Sequence, residues 1–227
     1  MSLTLELVVA RYEEPLNWVR KVPAVFRRTI YDKSAHPEDR IPLPNAGREA
    51  HTYLTHIVRR YDSLADYTVF CQGKPFDHAY DFHHTLRSIA SDHGTLPEFR
   101  WLGHLIDTDD QDGNRLFRPW SKNEDGRGLD IRGFHRRLFD QDGPDWYTFV
   151  LGAQFIAHRD LIRRRSLSFY QKALELSVSF PDAAHCYERS WDKVFGIQGI
   201  SEEVLQGRLS LSLKPLKNAA YPANPLP

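Results

Sequence analysis

Cysteine is scarce in this chain: Cys71 and Cys186 are the only two. Two thiols build neither a disulfide framework nor a cysteine zinc site, and a reducing, cytoplasmic compartment is expected. Net charge is missing as well, because 30 Lys and Arg are balanced by 30 Asp and Glu. A generic nucleic-acid binder carries a basic surplus for phosphates, so no nucleic-acid partner is expected. No apolar run approaches the roughly 20 residues that cross a bilayer, so no membrane span is expected. The first ten residues lack a basic start and carry Glu6 inside their apolar stretch, which does not read as a secretory leader. The G-x-S-x-G elbow, the Walker A loop and the G-x-G-x-x-G fingerprint are absent too. Their absence argues against an α/β-hydrolase, a P-loop enzyme and a dinucleotide dehydrogenase.

What is present is bulky core material, with 5 Trp, 10 Tyr and 13 Phe. No linker interrupts the chain before its end, so one domain is expected over residues 1–205, followed by a Pro-rich extended tail over 206–227. Residues 3–10 form an apolar run without strict alternation, which suits a strand buried on both faces. Arg11, Tyr12, Glu13, Glu14 and Pro15 end it. A helix over 16–22 and a strand over 25–31 are predicted next. Apolar residues from Ala50 to Leu64 recur on one stripe, which predicts a helix over 47–64 with Asn45 as its cap. Residues 67–71 then read as a short buried strand, and 77–90 as a helix. This alternation predicts an α/β fold: a mostly parallel central sheet flanked by helices. Residues 109–145 are dense in charge and glycine, and a mobile excursion with little regular structure is expected there. Residues 146–157 return to strand character, and helices are predicted over 159–165, 168–178 and 182–195.

Several groups of residues invite chemistry. Asp77, His78, Asp81, His83 and His84 lie close together, although they match no established metal motif. Asp77 and His78 are candidate ligands for a divalent metal such as manganese or magnesium. A metal-dependent hydrolase built on Asp77, His78, Asp81 and His84 is one alternative function. Asp-Gln-Asp-Gly occurs at 110–113 and again at 140–143, but the glutamate of a calcium loop is absent after each. Solvated turns are the expectation there. Arg159, Arg163, Arg164 and Arg165 follow the strand at 146–157. A helix that follows a parallel strand starts at the ligand-binding edge, where arginines bind phosphate bidentately; a solvated basic face is the alternative.

Four stretches, residues 6–18, 43–54, 69–78 and 151–155, with a fifth at 188–196, together resemble the uncharacterised family called domain of unknown function 3431. The resemblance covers about residues 5–196. That family is similar in layout to nucleotide-sugar glycosyltransferases of the A-type fold. The resemblance implies that Arg11, Glu13 and Glu14 hold the nucleotide with Gln72 and Gln154, while Arg159 and Arg163 of the basic cluster are candidates to neutralise its diphosphate in place of Asp77 with His78. It implies a catalytic carboxylate at Glu188, taking the proton of an acceptor hydroxyl, and a role for Asp77 at the diphosphate. The usual Asn-Glu after the first strand is Glu13-Glu14 here. The strand at 67–71 ends in Gln72 to His78 rather than Asp-x-Asp. The expected partners are a nucleotide sugar and a small-molecule or glycan acceptor. A non-catalytic binding protein on the same scaffold is the other alternative. Three segments are expected to converge on one cleft: Arg11 to Glu14, Gln72 to His78, and Gln154 with Glu188.

Overall fold

The first strand is buried on both faces, as its apolar run requires. The computed structural model describes residues 3–37, 40–92, 96–121 and 123–200, so the expected tail at 206–227 lies outside the described residues. In chain order the elements are β1 (Leu5–Arg11), β2 (Phe26–Asp32), β3 (Ile41–Pro42), α1 (Arg48–Arg60), β4 (Tyr67–Gln72), α2 (Phe82–Ser91), β5 (Phe99–Trp101), β6 (Ile106–Asp110), α3 (Phe117–Ser121), α4 (Ile131–Phe139), β7 (Trp146–Val150), β8 (Phe155–His158), α5 (Arg159–Arg163), α6 (Leu167–Ser179) and α7 (Ala183–Val194). They make a single α/β domain. A six-stranded sheet runs in the order β3-β2-β1-β4-β8-β5, and β6 and β7 form a two-stranded sheet beside it. β1 is parallel to both β2 and β4, with Leu5 opposite Tyr67 and Ala10 opposite Gln72. β8 runs antiparallel to β4.

Alternate residues of β1 enter two different cores. Leu5, Leu7 and Val9 meet Trp18, Val69, Phe82, Leu86 and Ile89 on one face. Val8 meets Tyr53, Leu54, Ile57, Phe70, Phe155 and Trp191 on the other, under α1, α6 and α7. Each fully buried Leu, Val or Phe contributes about 1.5–3 kcal/mol, so the two layers fix the sheet firmly. Glu6 also faces α1 and is wholly buried. It is met by Arg27, by Thr29 Oγ1 at 2.5 Å and by His56 Nε2 at 3.6 Å.

Five local expectations are corrected. Residues 16–22 form only a short 3-10 turn, Asn17–Lys21, because Pro23 disfavours helical conformation at Val22 and offers no N–H. Gly47, not Asn45, precedes α1: it has φ +59, and an added Cβ there would lie 2.5 Å from the Ser177 carbonyl oxygen on α6. α2 begins only at Phe82, after a 3-10 turn over Pro75–Asp77. Residues 109–145 carry the end of β6 and all of α3 and α4. Their charges are used internally: the buried Asp109 carboxylate accepts from the amides of Leu116 and Phe117 at 2.9 and 3.1 Å, and Arg189 donates to it at 2.9 Å. Finally, residues 146–157 are two strands in two sheets, separated by a turn at Gly152, which has φ +93.

Candidate functional site

From β1 the chain leaves towards β2 on one side, and it later returns to place β4 on the other. The C-terminal ends of β1 and β4 therefore flank a topological switch point, where open α/β sheets bind their ligands. Residues 72–78 leave β4 there and are held from three directions. The Trp18 indole N–H donates to the Gly73 carbonyl at 2.8 Å. The Gln154 side-chain amide donates to the Pro75 carbonyl at 3.0 Å. The Glu14 carboxylate accepts from the Tyr12 amide at 2.8 Å and lies against Gly73.

The β7–β8 turn closes the opposite wall. Gly152 is required twice over: its φ is +93, and a Cβ would sit 2.5 Å from Cγ of His78. The next residue, Ala153, has φ 51 and is fully buried. A non-glycine residue held there stores roughly 1–3 kcal/mol, which the surrounding packing must offset. The Gly152 amide donates to the Glu188 carboxylate at 2.7 Å, which ties α7 to the turn.

Between these walls lies a cleft of about 460 Å³, lined by Arg48, Glu49, Gln72, His78, Asp107, Leu116, Pro119, Trp120, Leu151, His185, Glu188 and Arg189. A second lobe of about 350 Å³ shares Arg48, Glu49 and Gln72 and extends to Arg11, Tyr12, Glu14 and Lys33. Burial, reinforced by the Glu188 carboxylate, pushes the Glu49 carboxyl up to about 7. Glu49 thus has a proton affinity matched to neutral pH and shares the cleft with the Glu188 carboxylate. Burial, helped by Arg48 and Arg189, lowers His185 to about 4, so it is a neutral ring at pH 7. It stands 5.2 Å from the ring of Trp120, which is 57% exposed at the rim. A larger groove of about 610 Å³ lies apart, around Trp146 and Lys193. It has no paired carboxylates, since its Asp192 is bound by Lys193.

Residues 7–205 match the family described as Protein of unknown function (DUF3431). The chain belongs to that family. No curated protein and no solved structure matches it. Within this DUF3431 chain, the matched region includes every residue that lines the two lobes.

The three segments expected to converge do so: Glu14, Gln72, His78 and Glu188 meet at the two lobes, with Gln154 buried behind them. Arg11 lines the second lobe, but its guanidinium is taken by Asp32. Glu13 is exposed on the loop and lines neither lobe. Asp77 is corrected as a cleft residue: its exposed carboxylate pairs with Lys74 at 3.0 Å. Arg159 and Arg163 are corrected as cleft residues too. β8 runs antiparallel, so its end at His158 lies opposite Tyr67, the start of β4. Both arginines therefore sit at the far edge, where Arg159 pairs with Asp66 and Arg163 donates to the Tyr61 carbonyl.

The metal candidates do not gather. Asp81 is bonded to His104 at 2.6 Å, and His84 lines a separate small cavity. Among the described residues, no three His, Cys, Asp or Glu side chains converge to hold an ion. Asp77 and His78 diverge and do not fit a metal centre, so no chemical step is routed through one. Among the described residues, no helix is long and apolar enough to cross a membrane.

The sequence reading missed Glu49, Arg48, Asp107, His185 and Arg189. Glu49 lies inside the stretch 43–54 that carried the family resemblance, and this was its only signal.

Proposed function

We propose that this chain transfers a sugar from a nucleotide donor to an acceptor hydroxyl. One observation carries the reading: a carboxylate pair, Glu49 and Glu188, in a cleft at the switch point, with Glu49 pushed up to about 7. A general base works best when its proton affinity matches the working pH, and such groups contribute about 10²–10⁴-fold. The pair takes the acceptor's proton as a unit. Glu188 is oriented by the Gly152 amide and lies 3.6 Å from Arg189, while its charge adds to the burial that raises the proton affinity of Glu49. Arg48, which lines both lobes, faces the charge that develops on the departing diphosphate. Trp120, Pro119 and Leu116 offer the apolar wall against which a ring can stack.

The test is a thermal-shift screen against uridine and guanosine diphosphate sugars, with and without manganese, followed by an assay for nucleoside diphosphate release. A ligand at 100 times its Kd adds about 2.7 kcal/mol of stability. Glu49→Gln and Glu188→Gln are expected to lower turnover about 100-fold or more with the fold intact. Binding without turnover would instead favour a non-catalytic binding protein, and no shift with any donor would remove the glycosyl-transfer reading.

A further inference from the structure

Lys33 follows β2 directly and is only 6% exposed, yet it forms no ion pair among the described residues. Its ammonium donates to the carbonyl oxygens of Ala46 and Arg48 and lies 3.5 Å from Nδ1 of His51. All three acceptors are neutral, because burial and Lys33 itself lower His51 to about 4. An ammonium has three donors, so its hydrogen-bonding capacity is met while its charge is left without a counter-ion. Buried charges are ordinarily paired, because desolvating a lone one is expensive. Burial brings the Lys33 amine down to about 8, with Glu49 opposing, and at neutral pH it remains mostly charged.

A second cation stands beside it. Arg48 opens α1 with φ 46, a conformation that non-glycine residues adopt only where the surroundings enforce it. That geometry puts Arg48 on the shared wall of both lobes. Its guanidinium makes no hydrogen bond or ion pair among the described residues, whereas Arg11 in the same lobe is held by Asp32. The lobe thus combines a planar donor fork that is free with a buried ammonium that has no bonded counter-ion and is offset only through space by Glu49. Phosphate oxygens suit both, the fork by bidentate bonding and the ammonium through space.

We propose that the lobe between Lys33 and Arg48 is a phosphate subsite that takes the mono- or diphosphate group of the ligand. The rest of the ligand extends past Gln72 into the carboxylate cleft. The proposal rests on the glycosyl-transfer reading, which also sets Arg48 at the diphosphate, but phosphate binding and sugar turnover are read separately.

Titration calorimetry of the intact protein with sodium pyrophosphate, uridine diphosphate and uridine tests it. Pyrophosphate is expected to bind, and Arg48→Met to weaken it about tenfold or more. Lys33→Met is expected to do the same. Lys33 also ties Ala46 to α1 and its loss endangers folding, so the exposed Arg48 supplies the safer variant. Arg163→Gln, at the far edge, leaves binding unchanged. Tighter binding of uridine diphosphate than of pyrophosphate identifies a nucleotide as the phosphate's source, and equal binding identifies a simpler phosphate. Absence of pyrophosphate binding, or binding indifferent to Arg48→Met, overturns the subsite. Pyrophosphate binding that responds to Arg48→Met, in a protein that turns over no nucleotide sugar, keeps the subsite and removes the transferase.

Discussion

The amide N–H of Gly152 donates to the carboxylate of Glu188 at 2.7 Å, and this bond joins the β7–β8 turn to α7. It aims Glu188 at the cleft and so sets the electrostatic surroundings of Glu49. Those surroundings leave a signature in stability as well as in catalysis.

Glu49 rises from 4.5 to about 7 in the folded protein. Between those values the native state binds a proton that the unfolded chain has lost. Its contribution to stability therefore falls as pH rises through that window, and the full penalty is present above about pH 7. The penalty is roughly 1–3 kcal/mol, reduced by partial exposure at the cleft. Glu49→Gln is expected to raise Tm at pH 8 and to leave it nearly unchanged at pH 4. Calorimetric scans at the two values check this, and an equal shift at both refutes it.

Glu6 behaves in the opposite sense. Burial raises its carboxyl, but His56, Arg27 and Thr29 outweigh that and hold it at about 2, against 4.5. The resulting stability is present above pH 4.5 and is lost as pH falls towards 2. It amounts to roughly 3 kcal/mol. Urea unfolding at pH 6, 4 and 3 should show wild type losing stability faster than Glu6→Gln. Parallel declines in the two proteins contradict the network.

Arg189 and Asp109 form an ion pair that is 3% and 0% exposed. Arg189 also stacks over Phe149, 4.8 Å from the ring centroid. Arg189→Met leaves the buried Asp109 carboxylate without a counter-ion, held only by backbone amides, and is expected to cost about 3–5 kcal/mol. The exposed pair of Arg164 with Glu98 gives the contrast: Arg164→Met should change stability by less than about 1 kcal/mol. Denaturant midpoints measure both, and similar losses would contradict the assignment.

α3 forms the rim of the cleft with Pro119 and Trp120. Uridine diphosphate is expected to slow tryptic cleavage after Arg115 at least severalfold, because a ligand against Trp120 disfavours local opening. Peptide mapping over a time course reads the rate. Unchanged cleavage with saturating ligand separates α3 from binding.

The parallel pairing of β1 with β4 was legible because their apolar runs have no polar alternation, which only a doubly covered sheet tolerates. The meeting of Glu14, Gln72 and His78 followed from two strand ends sharing an edge, whereas Glu188, on α7, was placed there only by the family resemblance. The reversal at Gly152 was not legible: residues 146–157 read as one apolar run, while the turn depends on the His78 ring contacted from a distant loop. That one missed turn put Arg159 and Arg163 at the wrong edge. Glu49 was invisible for a related reason. Its proton affinity depends on burial and on Glu188, and neither is encoded near residue 49.

The reversed direction of β8 has a practical consequence for handling the molecule. Four strand residues at about 3.3 Å each separate the turn beside Glu188 from Arg159, so the two edges stand apart by more than 10 Å. The native thiols at Cys71 and Cys186 are fully buried and burial pushes both up, which leaves them inert to alkylation. A single Arg163→Cys substitution therefore provides the one readily reactive thiol among the described residues. Tethered there, the protein presents its cleft away from a sensor surface in a uniform orientation, with ligand free to diffuse in from the opposite side.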